Sequence, residues 1–174
     1  MTGFGLRITP HGGGAPLMTG VAIGLSVGAC MALADATLFR SAIPSNQAEI
    51  VSSLSALQRI AFFAPRAILD ELIYRLVLMS ATAWLFARIA GRQRPWCFWA
   101  AILVTAFMFY PALHFGYLAT LDPTPLTWLR EITLHGGVSA LWGYLYWRHG
   151  LATSIVGHVS AHLSMQPLLG IFFG

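Results

Sequence analysis

Residues 69–75 read Leu-Asp-Glu-Leu-Ile-Tyr-Arg, and the stretches on either side are apolar enough to lie in a membrane. Charge in hydrocarbon is expensive and persists chiefly where it is paired or put to use. Spacing separates the two cases. Glu71 and Arg75 stand four residues apart with the acid first, the order that favours an ion pair along one helix. Asp70 projects about 100° away from Glu71 on an α-helix. Arg75 can therefore neutralise one carboxylate and leave the other to face a cavity. An anchored acid beside an unpaired one is a sensible device for general-base catalysis.

The histidines extend the pattern. His158 and His162 are four apart, so both rings lie on one face of a helix. His114 stands in an earlier apolar run, and Arg130, Glu131 and His135 open another. Two imidazoles on one stripe, with a carboxylate and a third imidazole on neighbouring helices, suit proton transfer to and from a tetrahedral intermediate. The same groups, His114, His158 and His162 with Glu71 or Asp70, would equally suit a zinc ion. Plainer roles compete. A single buried histidine can simply bond helices together, and Glu71–Arg75 alone is a structural clamp. The residues 130, 131 and 135 begin a span and are expected near its interface. The Gly24-Leu25-Ser26-Val27-Gly28 run matches G-x-S-x-G, but it lacks the strand-to-helix elbow that a serine nucleophile requires.

Something must hold these residues in place. The chain has 174 residues, 57% hydrophobic and 9% charged, with mean hydropathy +0.69. That excludes an ordinary soluble domain and predicts an all-α, polytopic transmembrane bundle. At about 20 apolar residues per crossing, about five spans emerge, at roughly 16–38, 60–87, 96–118, 126–147 and 151–173. The whole chain reads as one membrane-embedded domain. Residues 60–174 carry the chemistry, and residues 1–59 form an N-terminal span and a polar connection, 41–58, that can hold a short surface helix.

The first span ends in Ala32-Leu33-Ala34, a signal-cleavage pattern. Its apolar core is long, however, and Gly20, Gly24 and Gly28 form a small-residue stripe for helix packing, so a retained span is expected. The net charge of +4 comes from ten arginines and no lysine. Their scatter lacks the aromatic interleaving of a nucleic-acid groove. Arg88, Arg92, Arg94 and Arg148 fall in connections that would be cytoplasmic, which puts the N-terminus inside. Arg40 and Arg59 dissent. Cys30 and Cys97 lie in apolar runs without CxxC spacing and read as small buried hydrophobes.

With these motifs assembled, the chain resembles the CPBP intramembrane proteases, which include the type II CAAX prenyl endopeptidases and the bacterial "Abi" proteins. The family's E-E-x-x-x-R corresponds to Asp70-Glu71-Leu72-Ile73-Tyr74-Arg75, its F-x-x-x-H to Tyr110-Pro111-Ala112-Leu113-His114, and its H-x-x-x-N to His158-Val159-Ser160-Ala161-His162. The run 143–158 before the third motif is also similar. The resemblance covers about residues 60–174. It implies an intramembrane endopeptidase in which Asp70 and His114 activate water, His158 and His162 stabilise the oxyanion, and Glu71–Arg75 is the supporting ion pair. Asp70 is one methylene shorter than the family's glutamate, about 1.5 Å of reach, which leaves Glu71 as the alternative base. His162 in place of asparagine keeps a donor and adds a metal ligand.

The expected reaction is hydrolysis of a peptide bond near the C-terminal anchor of a membrane-anchored substrate. No cofactor is required, and zinc is the alternative. Glu71 lies 20 residues before Gly91, about 30 Å of helix, which places the site between the midplane and the outer leaflet. Tyr110, Glu131 and His135 would line its entrance. The expected location is a bacterial inner membrane; the partners are lipid and substrate, not nucleic acid, and no feature specifies an oligomeric state. A non-enzymatic immunity or partner-binding protein on the same scaffold is the rival reading. A proton-coupled carrier would need paired broken helices or inverted repeats, and neither is present.

Overall fold

The computed structural model describes residues 6–10 and 13–174. Among these residues all regular structure is helical, in seven helices. They are α1 (Ala15–Thr37), α2 (Ser45–Ser53), α3 (Ala56–Ile89), α4 (Pro95–Leu113), the short α5 (Phe115–Leu118), α6 (125–149) and α7 (Leu151–Phe173). Local chemistry marks their starts. Ser55 and Gln58 form a reciprocal capping box ahead of α3, satisfying two otherwise unpaired N–H groups. Pro95 and Pro125 occupy first-turn positions in α4 and α6, where a missing N–H costs nothing. Gly150, at φ 96°, turns the chain from α6 into α7. The N-terminal segment caps that turn, since Arg7 and Ile8 carbonyls accept from the Leu151 and Ala152 amides at 2.9 and 3.0 Å.

Three helices, α1, α3 and α4, are long and apolar enough to cross a membrane. The other two long helices coincide with the expected fourth and fifth spans. They carry Arg130, Glu131 and His135, and His158, His162 and Gln166, so the polar residues that interest us are the ones that depress their hydropathy. The expected third span, 96–118, is shorter than predicted. Its helix ends at Leu113, because His114 leaves helical geometry at φ −101°, ψ 18°, and α5 follows as a separate turn.

The glycine stripe of α1 packs backbone to backbone against α7. A Cβ added at Gly24 would stand 2.1 Å from the Gly157 carbonyl oxygen, and one at Gly28 would stand 2.0 Å from that of Ala161. No other residue fits there, and the positions fixed by this seam flank His158 and His162. Toward the end of the bundle nearer Gly150, Met79, Ala83, Phe98, Ile102, Tyr146 and Leu151 form a buried core.

Arg59 is not a free loop charge. It is buried, and its guanidinium donates to the carbonyls of Val51, Leu54 and Gln166, tying α2 and α3 to α7.

Three helices carry wide turns, and these segments pack on one another in series. Glu71–Met79 in α3, Thr105–Phe109 in α4 and Glu131–Gly137 in α6 are π-helical. Such wide turns recur at functional sites.

Candidate active site

The two acids of the first motif have different surroundings. Glu71 is 1% exposed. One of its carboxylate oxygens, Oε2, lies 3.5 Å from Arg75 Nε and accepts from the Ser154 hydroxyl. The other, Oε1, lies 3.0 Å from His158 Nδ1. Arg75 in turn donates to the Ser139 carbonyl and hydroxyl, each at 2.8 Å. Glu71 therefore ties α3, α6 and α7 together and fixes the imidazole of His158. Asp70 is half-buried, and its carboxylate accepts no hydrogen bond among the described residues.

The histidine of the second motif is held by tyrosines. His114 Nδ1 lies 2.8 Å from the Tyr74 hydroxyl and 3.2 Å from the Tyr110 carbonyl oxygen. Its ring stacks on Tyr110 at 4.3 Å between centroids. With Nδ1 engaged, Nε2 is the nitrogen left for a substrate or a water. In the third motif His158 and His162 stack at 5.4 Å, as one helical turn demands. Trp142 supports the first ring at 5.6 Å and Phe63 the second at 5.4 Å.

Asp70, Glu71, Arg75, Tyr110, His114, His135, His158 and His162 all line one cavity of about 410 Å³. Residues of α2 and α5, such as Gln47, Ile50 and Tyr117, complete its wall, so it lies toward the end of the bundle that carries the connections 38–55 and 114–124. Asp70 and His114 also border a second recess between α3 and the end of α4. That recess is rimmed by Leu69, Ile73 and Leu113, which are among the exposed large apolar side chains.

The residues that open the fourth span are buried within the protein. Arg130 is 1% exposed and Glu131 5%. Arg130 makes a two-pronged contact with Asp35 of α1 at 2.7 and 2.9 Å, and donates to Gln47 at 2.9 Å and to Glu131 at 2.9 Å. Glu131 does not line the cavity; it sits behind His135, whose Nδ1 is 2.8 Å from Glu131 Oε2. Asp35, Tyr74, Ser139, Ser154 and Gln47 were not anticipated. Asp35 had a readable signal, since a lone acid in an apolar span requires a buried partner. The others are ordinary polar residues whose importance lies in contacts between distant segments.

Among the described residues no group of three or more His, Cys, Asp or Glu side chains is placed to hold a metal ion. His158 and His114 have Nδ1 engaged by Glu71 and Tyr74, which leaves their Nε2 atoms free. No catalytic step is assigned to a metal.

No curated protein and no solved structure matches the chain. A family model described as "Type II CAAX prenyl endopeptidase Rce1-like" matches residues 50–164, which takes in all three motifs and α7 as far as Ser164. The chain is an all-helical member of the Rce1-like family of type II CAAX prenyl endopeptidases, a family of intramembrane proteases.

Proposed function

We propose that the chain hydrolyses a peptide bond near the C-terminal membrane anchor of a protein substrate, using Asp70 and His114 to activate water. The observation that carries this reading is the convergence on a single cavity of Asp70, whose carboxylate accepts no hydrogen bond among the described residues, and the imidazoles of His114, His135, His158 and His162. Asp70 is the better base than Glu71, because both oxygens of Glu71 are already engaged. Asp70 takes a proton from the water, and His114 Nε2 orients the same water. His158 and His162 offer N–H groups to the developing oxyanion, where a pre-placed donor is worth about 10²–10³ in rate. Glu71, on Nδ1 of His158, stabilises the imidazolium form in which Nε2 carries the N–H offered to the oxyanion. The apolar recess beside Asp70 suits lateral entry of a substrate helix or lipid-modified tail from the bilayer.

The test is profiling of membrane-protein C-termini in cells with the chain, without it, and with His158→Ala. At least one terminus is expected to depend on the active chain. If none differs between the first two cell types, the hydrolase reading falls and the scaffold reading, which rests on aspartate replacing glutamate at position 70, stands.

The location proposed is a bacterial inner membrane with the N-terminus inside and the cavity facing the outer side. In a chain with Cys30 and Cys97 replaced by alanine, Asn46→Cys and Asp122→Cys are each expected to react with a membrane-impermeant thiol reagent in intact cells. Labelling of neither, with labelling of both after permeabilisation, reverses the orientation.

A further inference from the structure

Glu71 and Glu131 are held alike. Each opens a π-helical stretch, one in α3 and one in α6. Each gives one carboxylate oxygen to an arginine and a hydroxyl. For Glu71 these are Arg75 and Ser154 on Oε2; for Glu131 they are Arg130 at 2.9 Å and the Tyr117 hydroxyl at 3.2 Å on Oε1. Each has its other oxygen beside the Nδ1 of a histidine, hydrogen-bonded to His158 at 3.0 Å in the first case and at ion-pair distance from His135, 2.8 Å without hydrogen-bond geometry, in the second. Each imidazole faces an aromatic ring, Trp142 for His158 and Tyr110 for His135, with centroids 5.6 and 6.1 Å apart. Both histidines line the same cavity. The motifs account for the first of these arrays and leave the second without a task.

A task is open. Peptide hydrolysis needs a proton delivered to the departing nitrogen, because an amine expelled as an anion is far too basic to leave. Asp70 and His114 serve the water, and His158 and His162 the oxyanion. We propose, building on the hydrolase reading above, that His135 is a further catalytic residue, the acid that protonates the leaving amine. Its Nδ1 stands 2.8 Å from Glu131 Oε2, an ion-pair contact outside hydrogen-bond geometry; Nε2 is the nitrogen left for substrate, and the carboxylate stabilises the imidazolium, the service it gives in hydrolase triads. Tyr110 stacks on both His135 and His114, which keeps the acid at the same end of the cavity as the water. The balance closes. Water oxygen bonds to the carbonyl carbon and its proton goes to Asp70. The carbon–nitrogen bond breaks as Nε2–H of His135 passes its proton to nitrogen. The proton on Asp70 then returns to His135 through solvent, so one water is consumed and the enzyme is unchanged.

The experiment uses the purified chain in phospholipid vesicles and a peptide spanning a cleavage mapped by terminus profiling. A second substrate is the same peptide with the scissile amide replaced by an ester, whose oxygen leaves without prior protonation. His135→Gln is expected to lower kcat on the amide by about 10²–10⁴-fold, the usual worth of a positioned acid, and on the ester by less than tenfold. Asp70→Asn should depress both substrates alike. Equal losses on amide and ester for His135→Gln, or no loss on either, overturn the role given to His135. A wild type inert on both molecules overturns the hydrolase reading itself. His135→Phe keeps a ring against Tyr110 and carries the same comparison should the glutamine variant fail to accumulate.

Discussion

Asp70→Asn is expected to reduce turnover by about 10²–10⁴-fold, the range for loss of a positioned general base, while the protein accumulates and melts like wild type. The two halves of that expectation come from the same fact. Asp70 accepts no hydrogen bond among the described residues, so an amide of nearly identical shape disturbs no partner. Glu71→Gln should behave differently. Its carboxylate is the counter-charge of the buried Arg75 and the anchor of His158. Removing one member of a buried pair typically costs about 3–5 kcal/mol, so that variant should lose stability as well as activity. Thermal unfolding in mild detergent, measured beside single-turnover rates, separates the two. An Asp70→Asn variant as fast as wild type would return the role of base to Glu71.

The second large effect lies 35 residues upstream of the first motif. Asp35→Ala leaves the guanidinium of Arg130 buried with its two-pronged partner gone, and a loss of about 3–5 kcal/mol is expected. Adding Arg130→Met to Asp35→Ala should recover much of it, because an unpaired buried charge is what the single change creates and an apolar side chain of similar length does not. The comparison is made by unfolding temperature and cellular level of the single and double variants. A double variant no more stable than Asp35→Ala would show that the pair is not the source of the cost. Asp35 lies in α1, outside the matched residues 50–164, so the first helix belongs to the working unit.

What could be read from sequence was whatever repeats within one helix. The four-residue step from Glu71 to Arg75 revealed the ion pair and left Asp70 unpaired. The same step stacked His158 on His162, and the Gly20, Gly24 and Gly28 stripe announced a close helix contact. Relations between helices leave no such trace. Asp35 and Arg130 meet across 95 residues of chain and Tyr74 reaches His114 across 40, and no local spacing signals either. Hydropathy carries the third span on to 118 because it does not sense the backbone geometry that ends the helix at Leu113. Nor does a count of charges near a helix start reveal that another helix supplies Arg130 with its counter-ion.

The widened turns make this chain unforgiving of length changes in places that look interchangeable with any other apolar helix. A helix turns by roughly 80–100° per residue, less in a wide turn than in an α-helix, so deleting a single residue within 71–79 while those turns stay wide would swing everything before it by about that angle relative to Thr82 and Ala83. Asp70 would then address lipid in place of the cavity, even if each surviving side chain were unaltered. The same holds for 105–109, which sets the bearing of His114, and for 131–137, which sets that of Glu131. Insertions and deletions in this fold are therefore expected to be confined to the connections, whereas these three segments keep their residue number as strictly as their chemistry.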